Sequence, residues 1–143
     1  MRVLFDTKVV LDLLLDREPF STDVALLFSQ VECGALHEYL CTTTITTIHY
    51  LTEKVIRTER ASKEIGKLFS LFEIAPVNRA VLESALRLKM KDFEDAVVSE
   101  AASQAKVQAI VTRDARGFKN AKLPVYTPAE MTHIIRNFGN QPE

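Results

Sequence analysis

Only four glycines occur in the 143 residues, and none are clustered, so there is no glycine-rich loop of the kind that cradles a nucleotide phosphate. Cysteine is limited to Cys33 and Cys41. Two such residues form neither a zinc-ligand spacing nor a disulfide framework, and both read as reduced thiols. The three histidines, His37, His49 and His133, are scattered and read as surface or packing residues. No serine, cysteine or histidine nucleophile motif is present. No run approaches the ~20 apolar residues that span a bilayer. Asp6 and Lys8 interrupt what would have to be the apolar core of a signal peptide, so cytoplasmic residence is expected. Net charge is −1, which gives no global attraction to a polyanion. Any such partner must be met by local basic patches.

The chain does have enough apolar residues, 47%, to bury a core in one domain spanning 1–143. There are no repeats, low-complexity tracts or linkers. Residues 2–5 read as a buried strand, followed by a short helix at about 8–15. Arg17-Glu18-Pro19-Phe20 breaks the pattern. Ser21 or Thr22 then caps a helix running to about Cys33 and ended by Gly34. A second strand is expected over His37–Cys41. The threonines 42–44 disfavour a helix by propensity, but the spacing of Ile45, Ile48, Leu51 and Val55 predicts one through about Thr58. A further helix covers 61–71, and Phe72–Val77 reads as a short strand.

Asn78 caps the next helix. Asp92 caps the best-marked helix of all, with Asp95 three residues on as in a capping box and Val98, Ala101, Ala102 and Ala105 along one stripe. Val107–Val111 is a strand, Pro124-Val125-Tyr126 an edge strand, and Thr127 with Pro128 starts the last helix. Strands alternating with helices imply an α/β fold with a parallel sheet and right-handed crossovers.

In such sheets ligands gather outside the carboxyl ends of the strands. Two apolar strands here run into aspartates, Asp6 and Asp114, and Asp92 and Asp95 open a helix. Singly, each has a structural explanation: a cap for Asp6 and Asp92, a turn before Gly117 for Asp114, the helix dipole for Asp95. Together they offer carboxylates to one place. Crowded carboxylates require a proton or a hard cation. Mg²⁺ or Mn²⁺ held by such aspartates suits phosphodiester hydrolysis, with the Thr112 hydroxyl orienting a water or phosphate oxygen. Arg113 and Arg116, with Lys54 and Arg57, are candidates for phosphate contact. The alternative for these basic residues is a solvated loop and a solvated helix face.

Six segments, taken in order, resemble the PIN-domain family, in particular VapC-like toxins. They are Phe5-Asp6-Thr7-Lys8-Val9-Val10-Leu11-Asp12, Arg17-Glu18-Pro19-Phe20, the helix start from Thr44 to Tyr50, Asp92-Phe93-Glu94-Asp95-Ala96, Val111-Thr112-Arg113-Asp114 and Leu123-Pro124-Val125-Tyr126-Thr127-Pro128. The resemblance implies a three-layer α/β/α fold with about five parallel strands. It also implies a metal-dependent endoribonuclease, a homodimer neutralised by a cognate antitoxin. By position, Asp6 and Asp95 match the family's first and third acids, Asp114 the acid after the last main strand, and Asp92 an accessory acid.

Two positions depart from the pattern. Lys8 stands where asparagine is usual, and Thr47 where a glutamate is usual. Glu53, six residues further along the helix, falls on a different side. Lys8 is expected to pair with the carboxylates and weaken metal binding. The rival reading is therefore an impaired scaffold that binds antitoxin or RNA without efficient cleavage. A phosphohydrolase using Asp6 as a covalent nucleophile lacks the second aspartate, because position 8 is lysine.

Overall fold

A computed structural model describes residues 1–31, 34 and 36–139. Cys33 lies outside the described residues, whereas Cys41 is a buried free thiol. Five strands, β1 (Arg2–Phe5), β2 (His37–Cys41), β3 (Glu73–Ala75), β4 (Ala109–Val111) and β5 (Val125–Tyr126), form one sheet in the order β3-β2-β1-β4-β5. All four pairings are parallel. The seven α-helices among the described residues are α1 (Thr7–Leu14), α2 (Phe20–Val31), α3 (Thr42–Glu53), α4 (Thr58–Leu71), α5 (Arg79–Arg87), α6 (Phe93–Gln104) and α7 (Pro128–Gly139). None is long and apolar enough to cross a membrane.

Alternation along each strand sorts the core into two layers. Val3 and Phe5 of β1, Leu40 of β2, and Ala109 and Val111 of β4 face one side, where α1, α2, α3, α4 and α7 contribute Val10, Leu27, Ile48, Leu68 and Met131. Leu4, Cys41, Ala75 and Ile110 face the other, against Val81 and Ala85 of α5 and the small-residue face of α6. The expected three-layer α/β/α arrangement is what forms.

Local signals explain most element ends. The Asn78 side chain accepts from the Val81 amide at 3.0 Å. At α7, Thr127 and Glu130 cap reciprocally: the Glu130 amide donates to Thr127 Oγ1 at 3.2 Å, and the Thr127 amide to Glu130 Oε1 at 2.9 Å. Gly34 adopts φ +79°, and its amide donates to the Val31 carbonyl, as a helix-ending glycine does. The helix predicted through Thr58 ends at Glu53, and a separate one begins at Thr58. Despite the threonines at 42–44, α3 starts at Thr42. The hydroxyls find partners outside the helix: Thr42 donates to the Ala75 carbonyl, and Thr44 shares a 2.9 Å hydrogen bond with Thr7.

Phe5, fully buried on the central strand, meets Phe28 and Phe72 with ring centroids 5.3 and 5.6 Å away. Phe5→Ala is expected to destabilise the fold by about 3–5 kcal/mol, measurable as a lower urea midpoint at unchanged slope.

Candidate functional site

The connection from β1 leaves on one face of the sheet and ends in β2, whereas β4 sits on the other side of β1. The strand order therefore reverses between β1 and β4, which opens a crevice at their carboxyl ends. The register pairs Phe5 with Val111, so the next residues, Asp6 and Thr112, emerge side by side. Asp6 is buried and is both the cap of α1 and part of the crevice wall. Its Oδ1 accepts from the Thr7 amide at 2.8 Å and its Oδ2 from the Thr112 hydroxyl at 2.9 Å. Burial pushes the Asp6 carboxyl above its ordinary range, while those two hydrogen bonds and the charge of Lys8 pull the other way.

Asp6, Asp92, Asp95 and Asp114 all line a single cleft of about 250 Å³, with Thr7, Lys8 and Thr47 beside them. Asp92 Oδ1 accepts from the Asp95 amide at 3.1 Å, so its capping role is real. Asp95 is different: its side chain turns into the cleft rather than completing a capping box. That half-buried carboxyl is pushed up to about 6, first by burial and then by the negative charges of Asp6 and Asp92, with Lys8 opposing. Asp114 leads into a 3₁₀ turn, Ala115–Phe118, without capping it through its side chain. Its carbonyl accepts from the Gly117 amide at 3.2 Å, which makes it a turn residue as well as a wall of the cleft.

A family model described as PIN domain matches residues 2–116, more than half of the chain. The chain belongs to the PIN-domain family. Solved structures agree on the fold at low identity. A toxin–antitoxin complex from Klebsiella pneumoniae is 23% identical, with a TM-score of 0.66 over 90% of this chain and 98% of that one. FitAcB from Neisseria gonorrhoeae is 19% identical, with a TM-score of 0.68 over 88% and 97%. VapBC-1 from nontypeable Haemophilus influenzae is 11% identical, with a TM-score of 0.69 over 90% and 98%. No curated protein matches the chain in sequence.

The donors in this PIN domain's cleft are carboxylates and hydroxyls, the hard oxygen set that suits Mg²⁺ or Mn²⁺. Gly117 leaves the carboxylate oxygens of Asp95 and Asp114 uncrowded by a side chain. A β-carbon there would lie 3.1 Å from Asp95 Oδ2 and 3.4 Å from Asp114 Oδ2, in the space between the two acids. Among the described residues, however, no three acidic, histidine or cysteine groups stand close enough to form a ready-made metal site.

Several residues do not sit as the sequence suggests. Thr112 is fully buried; its hydroxyl donates to Asp6 and accepts from the Asp114 amide at 3.1 Å, so it holds two acids in place rather than facing a water in the cleft. Arg113 is not free for phosphate either. Its Nε lies 3.1 Å from Oδ2 of the fully buried Asp12, without hydrogen-bond alignment, and its guanidinium stacks 3.9 Å over Phe20. Arg17 donates to the other Asp12 oxygen at 2.9 Å. The PIN domain thus uses the Arg17–Phe20 break to bolt α1 to the strand end before Asp114. Arg116 and Arg57 remain exposed, as does Lys54, whose ammonium sits 4.2 Å over the Tyr50 ring. Lys8 lines the cleft. Glu94 lines it too, accepting from the Thr47 hydroxyl at 3.3 Å. Sequence reasoning gave Glu94 no role; its one signal was its position between two acids at a helix start.

Removing the Asp12 carboxylate leaves two cations around an apolar pocket. Asp12→Ala should destabilise the fold by about 3 kcal/mol, the low end for a buried pair because both arginines keep some water; chemical denaturation measures it. A second test uses pH. Folding raises the Asp95 carboxyl from 3.8 to about 6, so the folded chain holds that proton more tightly than the unfolded one. This contribution is complete below about pH 4 and is lost as pH rises through 6. In chelator-treated protein, Asp95→Asn should flatten the fall in melting temperature across that window without abolishing it, because Asp6 is shifted in the same direction.

Proposed function

We propose that this chain is a metal-dependent endoribonuclease, using Mg²⁺ or Mn²⁺, and the toxin of a toxin–antitoxin pair. It would act in the cytoplasm as a single domain over 1–143, as a homodimer held in check by a cognate antitoxin. The observation that carries the reading is the convergence of Asp6, Asp92, Asp95 and Asp114 on one cleft at the switch point of the sheet. The toxin–antitoxin complex from Klebsiella pneumoniae among its structural neighbours supports it.

Asp6, Asp95 and Asp114 would hold the ion, with Asp92 assisting at the helix start. A divalent ion there supplies charge neutralisation for a phosphodiester under attack and acidifies a water molecule. The chain's own residues do the positioning. Thr112 fixes Asp6 and the backbone at Asp114, and Gly117 leaves the space between Asp95 and Asp114 clear. Arg116, with Lys54 and Arg57, is available to the phosphates of an RNA strand; Thr47 and Leu51 fall on one face of α3 at the cleft, and Lys54 caps that helix.

One observation favours the second reading, an impaired scaffold that binds RNA or antitoxin. The expected pairing does not form, because Lys8 is exposed and makes no ion pair with these carboxylates among the described residues, but from the rim of the cleft its charge still acts to lower the carboxyls of Asp6 and Asp95. Purified protein is expected to cleave RNA in Mn²⁺ and to lose cleavage in Asp95→Asn. Lys8→Asn should raise Mn²⁺ affinity roughly tenfold, the worth of one nearby charge at intermediate dielectric. RNA binding with no turnover in either wild type or Lys8→Asn would favour the scaffold, and unchanged Mn²⁺ affinity would clear Lys8 of any part.

A further inference from the structure

Glu94 occupies the second position of α6, where a glutamate is often explained by the helix dipole alone. That explanation accounts for its place in the sequence and not for where its side chain goes. A dipole-satisfying glutamate needs only to stay near the helix start, in water. This one reaches across the cleft to α3, where Thr47 Oγ1 donates to Oε1 at 3.3 Å. The contact leaves Oε2 without a hydrogen-bonding partner among the described residues. The charge is felt inside: Glu94 raises the carboxyls of both Asp6 and Asp95. Thr47 is itself fixed on a helix tied to the start of α1 through the 2.9 Å bond between Thr44 and Thr7. The walls carrying Asp6, Asp95 and Glu94 are thereby linked through two threonine hydroxyls of α3, Thr44 and Thr47.

We propose that Glu94 is an additional metal-binding carboxylate of this cleft, with Thr47 as the residue that positions it. The inference rests on the metal-dependent reading above. It assigns Thr47 a purpose: a threonine cannot ligate as a carboxylate does, but its hydroxyl delivers one from the facing helix. Because Thr47 and the Glu94 carboxylate are in contact, a carboxylate introduced at position 47 would enter the same part of the cleft.

The test is Mn²⁺ binding to the full chain by titration calorimetry and by the loss of the free-ion electron paramagnetic resonance signal. Glu94→Gln keeps the side-chain shape and the acceptor for Thr47, and is expected to weaken Mn²⁺ roughly tenfold or more. Thr47→Val should give a smaller loss, restored by Thr47→Ser. Thr47→Glu combined with Glu94→Gln should recover affinity, which a merely structural role for either residue does not produce. Unaltered affinity in Glu94→Gln, alongside lost binding in Asp95→Asn, would overturn the assignment while leaving the metal reading intact. Absence of Mn²⁺ binding in the wild-type chain would remove both.

Discussion

A single buried hydrogen bond sets the geometry of the cleft. Parallel pairing of β1 with β4 brings Asp6 beside Thr112, and the threonine hydroxyl donates to the carboxylate while accepting from the Asp114 amide. One oxygen atom therefore couples the first acid of the cleft to the last, 108 residues apart in sequence numbering from Asp6 to Asp114. A buried carboxylate without partners would be neutralised or expelled. With the Thr7 amide and Thr112 hydroxyl satisfying it, Asp6 stays at the mouth of the sheet.

The rest of the cleft is a problem in charge balance. Asp92, Glu94, Asp95 and Asp114 line the cleft with Asp6, and Lys8 is the one cation lining it among the described residues. The strain is visible at Asp95, whose carboxyl rises to about 6. Two devices stop the acids from drifting apart. Hydroxyls of Thr44 and Thr47 tie α3 to α1 and α6. The buried Asp12 grips Arg17 and Arg113, which pins the segment carrying Asp114. Burying an ion pair is a poor source of net stability; its value here is in fixing where the strand end goes.

Much of the architecture could be read from periodicity and caps. Asn78, Asp92 and Thr127 mark helix starts through short-range hydrogen bonds, which sequence spacing encodes directly. Errors arose where a side chain had two possible partners. Arg113 looks like a solvated loop residue, yet it is drawn inward by an aspartate a hundred residues earlier. Thr112 has the right chemistry for orienting water, but both functions of its hydroxyl are used by neighbours. Glu94 was the opposite case, passed over because nothing local distinguishes it from a dipole-favoured glutamate.

What the sequence by itself determined is the alternation of strand and helix, the positions of the acids at element ends, and the two departures at Lys8 and Thr47. These depend on patterns a few residues long, in which backbone geometry is nearly fixed by local chemistry. Which acids share a cleft, which cations are locked away, and which carboxylate Thr47 receives were decided only by the tertiary structure. Such contacts join residues from opposite ends of the chain. They exist only once apolar burial on both faces of the sheet has set the strand order and register.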